Sequence, residues 1–144
     1  MTSRAMIVTS ARGWLGTPYS HQASLKGLGT DCLGLVRGVW REVMGAEPEI
    51  VPAYSASWAE GGQGGALADA ASRHLSHVPL AEFEAGDVLL FRWRPHLPAK
   101  HAGIVSSKST MIHAQEQAEV TEIALSSWWL RHLALAFRFP GVID

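Results

Sequence analysis

The feature that most restricts the fold of this chain is a change in hydrophobic pattern half-way along the sequence. From residue 87 onward, short apolar runs alternate with turn residues, which is typical of strands joined by tight links. We predict five strands there, with a helical turn over 126–131 between the last two: residues 87–92, 102–106, 110–114, 120–125 and 133–139. Helices followed by such a run indicate an α+β fold with a mainly antiparallel sheet of five to six strands.

The first half of the chain predicts three helices. The first is expected over residues 3–15 and is closed by Gly16. After a long loop rich in Gly and Ser, a second helix is expected from about Cys32 to Met44, and a third over 66–75. Apolar residues recur at helical spacing in the second helix, at Val36, Val39, Trp40 and Val43. We find no internal repeat and no domain linker, so residues 1–144 are expected to form a single domain.

Composition disfavours several classes of function. The net charge is −1 and no run of Lys or Arg is present, so nucleic acid is not an expected partner. No apolar run approaches the roughly 20 residues of a membrane span, and membrane insertion is not expected. The amino-terminal residues lack the pattern of a signal peptide, which predicts synthesis in the cytoplasm. With one cysteine, the sequence has no partner for an intramolecular disulfide and no multi-cysteine metal site.

Cys32 is the candidate nucleophile. A catalytic thiol needs a lowered pKa, and unpaired N–H groups at a helix N-terminus favour negative charge. The predicted second helix begins at Cys32, with Asp31 or Thr30 as its cap. Gly34, one turn into the helix, leaves room for a substrate or for a neighbouring segment of the chain. The alternative interpretation is that Cys32 is a small buried hydrophobic residue.

A cysteine nucleophile also needs a histidine base within hydrogen-bond reach. His101 and His113 lie in successive apolar strands whose short link predicts a hairpin. Two histidines on paired strands can face the same side, so that one takes the thiol proton while the other orients its ring. They could instead be satisfied core residues, or ligands in a zinc site, for which the spacing is weak support. Four other histidines in polar or loop surroundings are not expected to be catalytic: His74, His77, His96 and His132.

Five segments together, in this order along the chain, resemble the NlpC family of cell-wall cysteine peptidases: Trp14–Tyr19, Thr30–Val36, Ala85–Phe91, His101–Val105 and Met111–Ala114. The resemblance implies a reduced papain-like core with helices packed on the sheet. It also implies that Cys32 is the nucleophile, that His101 is the general base and acid, and that His113 orients His101.

The same resemblance gives three further residues an expected place. Tyr19 matches a family tyrosine near the thiolate, where it would hold the substrate or the oxyanion; alternatively, its ring packs beneath the loop. Asp31 precedes the nucleophile, and its backbone N–H or that of Cys32 would serve the oxyanion while its side chain caps the helix. Asp87 is expected to be structural, in a turn that opens a strand.

The resemblance implies hydrolysis of the peptidoglycan stem peptide, between D-glutamate and diaminopimelate or lysine, without a metal or organic cofactor. Two segments depart from the family pattern: Leu33 stands where serine is common, and residues 20–27 replace a Trp-Gly-Gly stretch. Both departures resemble a branch found in tailed phages and gene transfer agents. This predicts tail or baseplate proteins as partners, a location in the virion or particle tail, and action in the periplasm of a target cell. Trp128, Trp129 and Leu130 would then form a docking face, or else belong to the core.

Other classes of function stay open on the sequence alone. One is a non-catalytic tail adaptor with the same fold. A cell-wall amidase that cuts between sugar and peptide is another, and an acyltransferase on lipid is less well supported. The last is a zinc-binding module without enzymatic activity, which would need a third strong ligand near His101 and His113.

Overall fold

The computed structural model describes residues 2–49 and 65–144. Its helices are α1 (Arg4–Arg12), α2 (Cys32–Val43), α3 (Ala66–His74) and α4 (Ser127–Arg131), with a 3₁₀ turn at Leu80–Glu82. Helices from the first half and a sheet from the second confirm the predicted α+β fold.

A six-stranded sheet forms the centre of the described chain. Its strands are β4 (Ser76–Val78), β5 (Val88–Phe91), β6 (His101–Ser107), β7 (Thr110–His113), β8 (Thr121–Ala124) and β9 (Leu133–Arg138). They lie in the order β4-β9-β5-β6-β7-β8, and every neighbouring pair is antiparallel. The five predicted strands are present as β5 to β9. The sequence did not reveal β4, an edge strand of three residues of which only Val78 is buried.

Both faces of the sheet are covered, which explains why all four residues of β5 are apolar and buried. One face packs against α1, α2 and α3, with Val88, Leu90 and Ile104 in that core. The opposite face packs against α4 through Trp129, with Leu89 and Phe91 in a second core. The site described below lies where β6 begins, between these two layers.

Helix α1 is shorter than predicted. The helix was expected to extend to residue 15 but ends at Arg12, and the chain turns through Gly13 and Trp14. The turn buries the Trp14 ring against Gly38 of α2, where a Cβ atom would overlap the ring. Trp14 Nε1 also donates to Glu42 at 3.2 Å. Burial of Trp14 in the core therefore decides where α1 ends. The helical spacing of apolar residues in the sequence does not indicate this end point.

Two small strand pairs also escaped prediction. β1 (Thr2–Ser3) pairs in parallel with β10 (Val142–Ile143), and it brings the two ends of the chain together. Within the predicted long loop, β2 (Ser24–Leu25) pairs with β3 (Gly29–Thr30). Each strand has two residues, which is too short for a detectable alternation. No helix in the described part of the chain is both long and apolar enough to cross a membrane.

Candidate active site

Cys32 is the first residue of α2, as the sequence predicted. Asp31 caps this helix: its Oδ1 accepts a hydrogen bond from Gly34 N at 2.7 Å, and its Oδ2 accepts one from Gln22 N at 2.8 Å. Thr30, the other candidate cap, donates instead to the Asp31 carbonyl. The Asp31 side chain thus satisfies helix donors and ties the preceding loop to the start of the helix.

Gly34 makes room for a neighbouring segment of the chain. A Cβ atom at this position would overlap the carbonyl oxygen of Ala23 and lie 2.6 Å from Thr30 Oγ1. The neighbouring Ser24 donates from Oγ to the Gly34 carbonyl at 2.6 Å. Of the two uses predicted for the missing side chain, the structure shows this close approach of the loop to α2.

His101 and His113 meet across the β6–β7 pair, as predicted. His113 is opposite Gly103, two residues after His101, so the two histidines are diagonal neighbours on one face of the sheet. His101 Nε2 and His113 Nδ1 share a hydrogen bond of 2.8 Å, with the ring planes at 83°. Both side chains are buried. Gly103 makes room for Met111 beside this pair, since a Cβ there would lie 2.6 Å from Met111 Sδ and 3.5 Å from His113 Cβ.

A cavity of about 170 Å³ brings the predicted residues together. Its lining contains four of the five candidates, Tyr19, Asp31, Cys32 and His101. The fifth, His113, is connected to this group through its hydrogen bond to His101. The remaining lining residues are His21, Leu33, Trp93, Lys100, Ala114, Gln115 and Glu116. A thiol and an imidazole at one cavity are the two groups that nucleophilic catalysis by cysteine needs.

The thiol of Cys32 is held in its neutral form. Burial of the sulfur raises its pKa to about 12, and the neighbouring Asp31 carboxylate adds to the rise. Backbone hydrogen bonds from Ala102, Leu33 and Cys32 oppose the rise without cancelling it. Burial thus opposes the effect of the helix N-terminus, which favours the thiolate.

The two histidines are also neutral. Burial lowers the pKa of His101 to about 3, and a charge on His113 would lower it further. Burial lowers the pKa of His113 to about 4. An uncharged imidazole has a free lone pair and can accept a proton. Since Nε2 of His101 is bonded to His113, its Nδ1 is the nitrogen left to face the cavity.

Tyr19 keeps its hydroxyl proton across the physiological pH range. Burial raises its pKa to about 12, with further contributions from Asp31, Cys32 and Glu116. A protonated phenol can donate a hydrogen bond into the cavity. Tyr19 lines the cavity, and its half-buried side chain also packs against the first core, so its place in the cavity and the packing alternative are both compatible with the structure.

Aromatic rings surround His101, and none of them was predicted to belong to the site. Trp93 stacks on the His101 ring with centroids 5.7 Å apart and planes at 27°. Trp129 lies 5.6 Å away at 32°, and Phe91 is the direct cross-strand neighbour. The position of Trp93, two residues after the strand that pairs with His101, was the available signal. These rings supply much of the apolar surroundings that keep the imidazole uncharged.

A zinc site would need a third ligand beside His101 and His113. Over residues 2–49 and 65–144 there is no group of three His, Cys, Asp or Glu side chains that could hold a metal ion. The candidate site in the described chain is thus a thiol, two imidazoles and a phenol.

The sequence of this chain matches a known protein family. The sequence profile of the NlpC/P60 family matches residues 16–138, which is most of the chain and includes all five candidate residues. This chain belongs to the NlpC/P60 family. The family consists of cysteine peptidases and peptidoglycan hydrolases, and this confirms the wider family identified from the sequence. A comparison with curated proteins gave no match.

Solved NlpC/P60 structures share the fold. The NlpC/p60 domain of the peptidoglycan hydrolase SagA has 22% sequence identity and a TM-score of 0.66, over 96% of this chain and 100% of that one. A family protein from Bacillus cereus has 20% identity and a TM-score of 0.69 over 95% of this chain. A lipoprotein-like member from Staphylococcus aureus has 19% identity and a TM-score of 0.66 over 98%. The chain spans 40% and 42% of the last two proteins.

Proposed function

We propose that this chain is a cysteine endopeptidase that hydrolyses the stem peptide of peptidoglycan. The observation that carries the proposal is the cavity shared by Cys32 and His101, with His101 hydrogen-bonded to His113 at 2.8 Å. Membership of a family of cysteine peptidases and peptidoglycan hydrolases supports the reaction class. The roles of the individual residues are our assignment.

In the first half of the reaction, Cys32 Sγ attacks the carbonyl carbon of the scissile amide. Its proton passes to His101 Nδ1, which is uncharged and able to accept it. His113 accepts the hydrogen bond from His101 Nε2–H and so fixes the tautomer that presents Nδ1 to the thiol. The thiol and the base both start neutral, so proton transfer and attack occur together.

The carbon–nitrogen bond then breaks, and His101 gives its proton to the leaving amine. A thioester between Cys32 and the acyl half of the peptide remains. His101, neutral again, removes a proton from a water molecule that attacks the thioester carbonyl. The acid product leaves, and the proton returns to the Cys32 sulfur.

The negative charge on the carbonyl oxygen requires hydrogen-bond donors. The Asp31 N–H already donates to the Ala23 carbonyl at 3.3 Å, which favours the N–H of Cys32 over that of Asp31 as the backbone donor. The Tyr19 hydroxyl is the side-chain donor, because its raised pKa keeps it protonated. Asp31 contributes indirectly by capping α2.

The bond that we assign is the one between D-glutamate and the diamino acid that follows it, diaminopimelate or lysine. The family resemblance of the five sequence segments supports this choice. No metal or organic cofactor takes part in the proposed chemistry. The family's choice of bond applies to this chain less directly than its catalytic chemistry does, because Leu33 and the changed segment 20–27 adjoin the nucleophile.

The test is digestion of purified peptidoglycan by the wild type and by Cys32→Ala, with the fragments identified by mass spectrometry. We expect stem-peptide fragments with a new amino terminus at the diamino acid from the wild type and none from the variant. His77→Ala is the matched control, since His77 is an exposed histidine outside the cavity and should leave the digestion unchanged.

Other outcomes separate the remaining functions. Release of the whole stem peptide from the sugar would identify an amidase. Fragments produced equally by Cys32→Ala would disprove nucleophilic catalysis by this residue. No release by the wild type, either alone or within a purified particle, would favour a structural adaptor with the same fold.

We also propose that the enzyme is carried in the tail of a phage or gene transfer agent and acts in the periplasm of the target cell. The departures at Leu33 and residues 20–27 support this branch of the family. Fractionation of producing cells tests it: we expect the protein to sediment with tail proteins. Recovery only as free protein in the cytosol would contradict the proposal.

A further inference from the structure

Helix α4 exposes one aromatic ring beside the active site. Trp128 and Leu130 are about equally exposed, at 45% and 46%, whereas Trp129 between them is buried in the second core. The three residues therefore do not form one docking face. Trp129 belongs to the core, and only its neighbours point outward.

The Trp128 ring is held in place although it is exposed. The His132 ring stacks on it with centroids 4.0 Å apart and planes at 24°. Trp129 meets it edge to face at 4.9 Å, and His132 Nδ1 lies 2.6 Å from the Trp128 carbonyl oxygen. An exposed aromatic ring that is already immobile loses little conformational entropy when it binds a ligand.

Trp93 joins this ring to the catalytic cavity. Its ring lies 5.7 Å from that of His101 and 6.0 Å from that of Trp128, and it lines the cavity itself. The centres of the His101 and Trp128 rings are therefore at most about 12 Å apart, as these two ring-to-ring distances bound it. A ligand that reaches from the catalytic base to Trp128 spans only a few residues of extended peptide.

We propose that Trp128 binds a sugar ring of the glycan strand to which the stem peptide is attached. The inference rests on the proposed function, because it takes the substrate to be peptidoglycan. In that substrate two amino acids separate the sugar from the scissile bond, and two extended residues cover about 7 Å. The link from the peptide to the sugar and the width of the sugar ring would cover the rest of the span, which is at most about 12 Å between the His101 and Trp128 ring centres.

The chemistry of the surface fits a sugar. A pyranose has a face of C–H groups and a rim of hydroxyls, and it complements an aromatic face with polar groups around it. His132 already stacks on one face of the Trp128 ring, so a sugar would contact the part of the ring that stays exposed, and Arg131 is an exposed polar residue of the same helix. A protein partner fits less well: stable interfaces bury about 800 Å² on each partner, far more than two exposed side chains on a five-residue helix offer.

Two measurements test the sugar site separately from catalysis. The first is calorimetric titration with glycan chains from which all peptides have been removed. We expect Trp128→Ala to weaken binding about 5-fold or more, Trp128→Phe to keep most of it, and Leu130→Ala to bind like the wild type, because only a stacking ring is replaced in the first variant. The second is cleavage of a soluble stem peptide without sugar, which we expect to be unchanged in Leu130→Ala and to be lowered by Trp128→Ala much less than glycan binding is, because Trp128 reaches His101 only through Trp93.

Each outcome decides a different point. Equal glycan binding by Trp128→Ala and the wild type would overturn the sugar site. Equal losses in Trp128→Ala and Leu130→Ala would also overturn it, and would point to a general apolar contact such as a tail protein. If the wild type binds glycan but cleaves no peptide, the proposed peptidase activity fails and the sugar site stands.

Discussion

Two corners of the same sheet bury ionisable groups in opposite ways. At the start of β5, the fully buried carboxyl group of Asp87 is paired with two arginines: Arg138 donates to its two oxygens at 2.9 Å each, and Arg4 donates at 3.2 Å. The backbone N–H of Glu84 adds a bond of 2.8 Å. At the start of β6, His101 and His113 are buried among aromatic rings and bonded to each other, without charge.

The difference is between an ion-paired side chain and a pair of uncharged rings. A buried charge is stable only with partners, and once it is fully paired it has no capacity left for chemistry. The histidine pair keeps one ring nitrogen uncommitted at the cost of staying neutral. The two corners also differ in what destabilises them. The Asp87 corner depends on its arginine partners, whereas the histidine pair depends on the pH of the solution.

The largest effect that we expect is acid destabilisation through the histidine pair. Unfolded histidines take up protons near pH 6.5, whereas the folded pKa values are about 3 and 4. Unfolding therefore binds protons as the pH falls, and stability that is present above pH 6.5 is lost toward pH 4. The slope reaches about 1.4 kcal/mol per pH unit and group only well below pH 6.5, where the unfolded histidines are fully protonated, so the loss between pH 6.5 and 4.5 is roughly 4 kcal/mol.

Urea unfolding followed by circular dichroism at these pH values measures that loss. His113→Asn should reduce it by about half, because one of the two depressed groups is gone. His77→Asn replaces an exposed histidine and should leave the pH dependence as it is. A wild-type stability that does not fall over this range would mean that the pair is not kept neutral.

The second effect concerns the paired corner. Arg138→Met removes the arginine that contacts both Asp87 oxygens and should lower the free energy of unfolding by about 3 kcal/mol, since a buried carboxylate loses its main partner. Arg12→Met is the control, because Arg12 makes the same type of contact with Glu122 at the surface. Denaturant unfolding at pH 7 should show a much smaller loss for it. Similar losses in the two variants would contradict the importance of burial.

The third effect is on catalysis. His113→Ala should lower kcat/KM on stem peptide about 100-fold, because nothing then holds the tautomer of His101 that presents Nδ1. His113→Asn should restore most of the rate, as its amide oxygen can accept the same hydrogen bond from Nε2–H. Steady-state rates at pH 7, with unfolding curves for both variants, measure this. If both variants lose activity equally while folded, His113 does more than orient His101.

The sequence predicted the elements of this site better than its electrostatics. Cys32 was placed at a helix start because Asp31 and the apolar spacing after it are local signals. The meeting of His101 and His113 followed from a short link between two apolar strands, which is local as well. Contacts made between distant residues could not be predicted. Trp93 over His101 and Arg138 on Asp87 depend on how the layers pack, and no spacing within one segment reports them.

The effect of burial on the thiol could not be predicted from the sequence for the same reason. A helix N-terminus is visible in the sequence, and it favours the thiolate. The burial that opposes it comes from the surrounding protein, and it dominates here, raising the pKa of Cys32 to about 12. The local sequence shows the helix N-terminus that stabilises a thiolate, but it does not show how far the folded protein removes the thiol from water.

The last prediction has the smallest signal, because it is the absence of a thiolate. A thiolate absorbs near 240 nm, so the difference spectrum between the wild type and Cys32→Ser reports it directly. With a folded pKa of about 12, we expect no difference at pH 7 and a growing one only as the pH approaches 12. The unfolded thiol ionises near 9.0, so unfolding releases this proton above that pH and the contribution of Cys32 to stability falls as the pH rises.

A pH–rate profile alone does not distinguish a neutral thiol and imidazole from an ion pair, because both titrate as one coupled system. The spectrum does: full thiolate absorbance at pH 7 would mean that Cys32 and His101 are an ion pair before substrate binds, and that the helix dipole outweighs burial after all.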